Sequence, residues 1–310
     1  MRILLWHVHG SWTTAFVQGP HTYLVPVLPD RGPDGRGRAR TWDWPASVVE
    51  VSPDEARRAD IDVMILQRPE ELHHLAEGWT GRRPGSDVPA VYLEHNTPDG
   101  PTGSSVHPAA DRRDVTVAHV TNFNQVFWDT GRGPTTVIEH GVVDPGHLYV
   151  GDVPHAAAVI NDPGARRRAT GADLLEGLRD AAPIDLFGMR SEEYGGCDLV
   201  QEELHKAMAS RRVYLHPNRW TSLGLSLIEA MHIGMPIVAL AATEVPEAVP
   251  EGAGVVSTRI DTLRAGLRRL VADPAEALAR GQVAREAALA RFGLSRFLAD
   301  WNQLLQEVAA

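Results

Sequence analysis

Glu229 is the side chain that most needs a chemical reason. It interrupts an apolar helical stretch supplied by Leu223, Leu225, Leu227, Ile228, Met231 and Ile233, and a buried carboxylate is costly unless something pairs with it. The start of that stretch carries a second chemistry, because unpaired backbone N–H groups and the helix dipole attract phosphate. His95 follows the run Pro89-Ala90-Val91-Tyr92-Leu93-Glu94. A histidine at the carboxyl edge of a parallel strand points into the crevice where such sheets bind ligand. Four arginines (Arg31, Arg36, Arg38 and Arg40) share a Gly-rich loop over 29–40, with Trp42 and Trp44 just beyond. Guanidiniums suit a phosphate or carboxylate and indoles stack on a sugar face; the same composition equally fits a solvated loop with two partly buried tryptophans. His7 and His9 alternate on one strand face. They could in principle bind a metal, but with no carboxylate or cysteine nearby a structural role is the better expectation.

The elements that must position these residues follow from pattern. His216-Pro217-Asn218 breaks the chain, Thr221 and Ser222 are N-cap candidates, and Gly234 is a C-terminal stop. Ile237-Val238-Ala239-Leu240 is a continuous apolar run of the kind a strand buried on both faces needs. Strands are predicted over 3–8, 22–28, 59–66, 89–93, 115–120 and 135–138, and again over 156–160, 184–187 and 213–215. Gly10 and Ser11 follow the first strand and predict a ligand-facing turn at its carboxyl end. Helices are predicted over 172–178, 198–210, 263–271, 274–291 and 294–305. Gly, Pro and Asp cluster over 141–154, which marks a linker.

Gly224, Glu229-Ala230-Met231, Gly234, Pro236-Ile237-Val238 and Pro246-Glu247 together resemble the donor-binding signature of the GT-B-fold glycosyltransferases, specifically the retaining family 4 (bacterial glycosyl transferases group 1). The resemblance implies an α/β GT-B fold, two Rossmann-like domains with parallel sheets facing across a cleft. It places an acceptor domain over 1–145, a nucleotide-sugar donor domain over 155–290, and a C-terminal helix over 291–310 that crosses back to the first domain. Thr221, Ser222, Leu223, Gly224 and Leu225 would face the donor's sugar and diphosphate, and Glu229 would accept hydrogen bonds from its ribose. A helix advances about 12 Å over eight residues, roughly the reach from sugar to ribose. The family pattern has Glu where this chain has Thr221, and Lys where it has Thr170, although Gly171 matches. Arg166, Arg167 and Arg168 are the substitute for the missing lysine, being always charged and able to fork onto phosphate oxygens. Gly188 ends a strand near which the base would lie. His95 would meet the transferred sugar as the catalytic contact, and His140 stands where the family has Asn. Gly10 and Ser11, with Arg31 and Arg36, make the acceptor or sugar loop.

The chain has 310 residues, 43% of them apolar and 23% charged, which fits two α/β domains. A net charge of −10 argues against a nucleic-acid binder. No apolar run approaches the ~18 residues of a membrane span, and a single cysteine, Cys197, is consistent with a reducing, cytoplasmic setting. Lys206 is the only lysine among 30 basic residues, a bias expected of a GC-rich genome. The expected activity is transfer of a sugar from a nucleotide-diphosphate donor to a carbohydrate or small-molecule acceptor, with retention and with neither metal nor cofactor. A non-catalytic nucleotide-sugar-binding subunit is the alternative. A doubly wound oxidoreductase or epimerase would require GxGxxG and an acidic residue downstream, and neither is present.

Overall fold

The computed structural model describes the whole chain, Met1–Ala310. It divides into two compact units, one formed by Met1–Val143 with Leu294–Ala310 and the other by Asp144–Gly293.

The first unit is built on an all-parallel sheet of β1 (Arg2–Leu5), β2 (Thr22–Pro26), β3 (Val48–Val51), β4 (Val63–Leu66), β5 (Ala90–Glu94), β6 (Val115–His119) and β7 (Thr135–Val137). Its spatial order is β3-β2-β1-β4-β5-β6-β7. Every residue of β4 and β5 is buried, as a parallel sheet covered on both faces demands. The register sets Leu4 beside Leu24 and Met64, and these pack with Trp6, Leu72, Trp79 and Tyr92. A second cluster joins helix Gly10–Phe16 to helix Leu294–Ala309: Trp12 lies 4.7 Å from Phe16 and 5.5 Å from Trp301, ring centre to ring centre. Gly141 makes room for the latter helix, since a Cβ there would sit 2.3 Å from Phe297 Cβ. Arg296 then donates to the carbonyls of Glu139 and His140.

The second unit has a parallel sheet of β8 (Val153–Val159), β9 (Ile184–Phe187), β10 (Arg211–His216), β11 (Ile237–Leu240) and β12 (Gly254–Ser257), in the order β12-β11-β10-β8-β9. Both sheets are doubly wound. In such sheets ligands bind outside the carboxyl ends of the strands, where the strand order reverses. The reversal falls between β1 and β4 in one unit and between β8 and β10 in the other.

Three local expectations are corrected. The first strand ends at Leu5, so His7 and His9 share no strand face; His7 Nδ1 instead donates to the Gly37 carbonyl at 3.0 Å. Gly10 and Ser11 form no turn but open helix Gly10–Phe16. Helix Leu225–Ile233 begins later than Thr221 and Ser222, at an extended Gly224 with no side-chain cap, because the Thr221 hydroxyl is taken by Asn218 Nδ2 at 3.2 Å. Gly234 does end that helix, in the left-handed region at φ 95°.

Trp301 is 1% exposed, so Trp301→Ala should lower the unfolding free energy by about 3–5 kcal/mol. Chemical denaturation checks this, and a loss below ~1 kcal/mol would deny the last helix a place in the first unit's core.

Candidate functional site

In the second unit the loops leaving β8 and β10 are locked together at the point of strand reversal. The Ala169 carbonyl accepts the amides of Arg219 at 2.8 Å and Trp220 at 3.0 Å. Gly171 adopts φ 72°, and a Cβ there would lie 2.0 Å from the Pro217 carbonyl oxygen, so only glycine lets the loops touch. Arg219 closes the junction, its guanidinium on Asp173 at 2.5 and 2.9 Å and on the Arg168 carbonyl at 3.0 Å. That pairing holds the Asp173 carboxyl below its usual range.

Polar groups without protein partners gather at this junction. His216 is 1% exposed and neither ring nitrogen is hydrogen-bonded. Burial pushes its pKa down to about 4, so it is a neutral imidazole. Asn218 Oδ1 is also buried and unpartnered. The His216 ring lies against the start of helix Leu225–Ile233, where a Cβ on Gly224 would come within 2.7 Å of His216 Cε1. Orphaned buried polar atoms cost about 1–3 kcal/mol each, and native folds keep few of them. The uncapped helix start offers backbone N–H donors beside an imidazole and an amide oxygen that lack protein partners.

The expected donor residues divide by role. Arg166 and Arg167 are exposed at the rim of this junction with no ion pair, whereas Arg168 is held by Asp173 at 3.2 Å. Thr170 is not presented to a ligand: it is 4% exposed and its hydroxyl donates to the Arg166 carbonyl at 3.0 Å. Ser222 and Leu223 are buried, Thr221 is half-buried, and Leu225 is the first residue of the helix. Gly188, at φ 128°, is a packing glycine whose Cβ would lie 2.5 Å from the Ile160 carbonyl. Glu229 is 4% exposed; its Oε2 lies 3.5 Å from His205 Nε2, which Gln201 Nε2 approaches more closely, at 2.7 Å. Sequence pattern did not single out His216, Asn218, His205 or Arg219. The signal available for His216 was its position as the last residue of a strand entering the motif.

In the first unit the reversal point gathers histidines. His9 follows β1, Gln67 follows β4, His95 follows β5, and His140 lies beyond β7. The His95 ring is 3.9 Å from that of His9 and stacks on that of His140 at 6.1 Å. Burial, then the neighbouring imidazoles, holds His95 well below the usual histidine range; burial takes His140 down to about 3. Gln67 Nε2 donates to the Trp6 carbonyl at 2.8 Å, which turns its Oε1 toward His95 Nε2 at 3.3 Å. An amide oxygen only accepts, so His95 carries its proton on Nε2 and its lone pair on Nδ1. Of the expected acceptor residues, Gly10 lies beside His7 and Trp42, and Arg36 is exposed. Arg31 is committed elsewhere, forked onto Glu50 at 2.9 and 3.2 Å.

Residues 194–287 match the family described as Glycosyl transferases group 1. Among solved structures, the chain is similar to sucrose-phosphate synthase from Thermosynechococcus elongatus, with a TM-score of 0.73 and 13% identity over 99% of both chains. It is similar to HepE from Anabaena, solved in complex with UDP-glucose, with a TM-score of 0.71 and 14% identity over 99% of this chain and 100% of that one. TarM matches at a TM-score of 0.64 and 14% identity over 78% of this chain, which spans 54% of TarM. No curated protein sequence matches the chain. At these identities the structural likeness is one of fold, and the fold is GT-B.

Two predictions come from the histidines. His119, His140 and His216 have folded-state values near 3, 3 and 4. The unfolded chain therefore binds protons below about pH 6.5 that the folded chain refuses, and stability should fall as pH drops from there toward 4. His119 has no partner on either ring nitrogen, so His119→Leu should flatten that slope in denaturant titrations; an unchanged slope refutes it. In nitrogen NMR, His95 should show the neutral Nε2–H form at and below neutral pH, where a free imidazole would already be gaining a proton, and Gln67→Leu should produce a tautomer mixture.

Proposed function

We propose that this glycosyltransferase moves a sugar from a nucleoside-diphosphate donor to an acceptor with retention of configuration and without a metal ion. The observation that carries the reading is the orphaned His216 and Asn218 oxygen at the uncapped start of helix Leu225–Ile233. Such a place suits a diphosphate and the hydroxyls of its sugar.

On departure the diphosphate gains negative charge, and groups already aimed at it stabilise that charge without rearranging. In this reading Arg166 and Arg167 supply two full charges, with the helix start adding its partial charge. Arg219 acts by positioning, holding Asp173 and the Arg168 backbone so that the arginine bend keeps its shape. Glu229 meets the ribose. His95, with its proton fixed on Nε2, presents Nδ1 as an acceptor to the transferred sugar. HepE, solved with UDP-glucose, supports a nucleotide-sugar donor here. A second reading, a nucleotide-sugar-binding subunit without turnover, is favoured by Thr221 in place of the family glutamate and by the inward-turned Thr170.

Titration calorimetry with UDP-, ADP-, GDP- and TDP-sugars tests the first reading. One donor should bind, with Arg166→Gln/Arg167→Gln and Glu229→Gln each weakening it about tenfold or more (about 1.4 kcal/mol). Binding unaffected by these changes sinks the site. Slow donor hydrolysis that persists in EDTA favours the enzyme, and donor binding with no turnover favours the subunit.

A further inference from the structure

The first unit carries a cationic concavity that the donor site does not use. It measures 420 Å³ and is lined by His7, Asp30, Arg31, Arg36, Arg38 and Arg40. It lies at the carboxyl ends of β1 and β2, where a doubly wound sheet binds ligand. Its volume falls within the range of small-molecule sites, about 300–1,000 Å³.

The wall is braced. Val27 and Arg36 bridge antiparallel, and the Leu28 amide donates to the Gly35 carbonyl at 2.9 Å. Arg31 forks onto Glu50, and Arg38 donates to the carbonyls of Pro45, Val48 and Trp44. Gly37, at φ 68°, leaves the space in which that fork sits, since a Cβ there would lie 2.7 Å from an Arg31 guanidinium nitrogen. Trp44, 3% exposed, anchors the far end through its indole N–H on the Thr14 hydroxyl at 2.8 Å.

With Arg31 and Arg38 spent on structure, two guanidiniums are left over. Arg36 makes one long contact, to the Val8 carbonyl at 3.4 Å, and Arg40 makes none; both are exposed. Four guanidiniums meet two carboxylates, Asp30 and Glu50, an excess of two positive charges in a chain whose net charge is −10. A phosphate monoester carries about two negative charges at neutral pH, which matches that excess. His7 gives its Nδ1–H to Gly37, so its Nε2 lone pair, beside Gly10, can accept from a hydroxyl of the phosphate-bearing molecule and not from the phosphoryl group itself.

We infer that this concavity binds a phosphoryl group, with Arg36 and Arg40 forked onto its oxygens, and that the acceptor of the proposed transfer is a phosphate-bearing small molecule held there. The second half rests on the transferase reading; the first does not. The test is calorimetric titration with glycerol 3-phosphate and with glucuronate, at saturating UDP to occupy the second unit. Glycerol 3-phosphate should bind at least tenfold more tightly than glucuronate, and Arg36→Gln/Arg40→Gln should weaken it at least tenfold. UDP-sugar affinity, measured on the same samples, should not move. Equal binding by wild type and variant, or glucuronate binding as tightly, overturns the inference. If no UDP-sugar binds while the phosphate response is as expected, the transferase reading fails and the phosphoryl site stands.

Discussion

The approach of Gly171 to the Pro217 carbonyl is the contact on which the second unit's site depends. Any side chain at 171 would push the β8 loop off the β10 loop. The Ala169 carbonyl would then lose the Arg219 and Trp220 amides, and the arginine bend would no longer border the helix start. Two stretches about fifty residues apart in sequence become one surface because a single position lacks a Cβ.

Both units place their polar residues by one rule. A parallel sheet buries its strands on both faces, so the only backbone free to carry chemistry is at the strand ends. Reversal of strand order opens a gap there that no crossover covers. His9, Gln67 and His95 reach the gap in one unit, and His216 and the 160–171 loop reach it in the other. The two sites differ in electrical character. The second unit's site borders exposed arginines, whereas the first unit's holds His95 and His140, imidazoles kept neutral mainly by burial.

Most strands were legible in the sequence because short uninterrupted apolar runs such as Val63–Leu66 and Ile237–Leu240, bounded by turn residues, suit a strand covered on both faces; β3 and β12, short edge strands with exposed or half-buried residues, were not. The glycines of the donor motif were legible too, although the reason for Gly171 is a carbonyl far along the chain. What could not be read was side-chain commitment. Arg31 and Arg36 look alike in a loop, and only Glu50, a residue of β3, separates the structural one from the open one. Thr170 stands in a lysine's place, yet a bond to a carbonyl one turn back sends it inward. The start of helix Leu225–Ile233 was misplaced because Thr221 and Ser222 have the chemistry of caps, while the chain stays extended through Gly224.

The first unit is completed by residues that follow the whole of the second unit in the chain. A ribosome therefore releases every part of the β8–β12 sheet before Trp301 exists to cover Trp12 and Phe16. Until translation reaches that helix, Trp12 and Phe16 on helix Gly10–Phe16 lack their cover, while the later-made unit already has all its own residues. Vectorial synthesis thus reverses the usual N-terminal-first order of maturation, and a chaperone acting on this chain would find its client surface on the half made first.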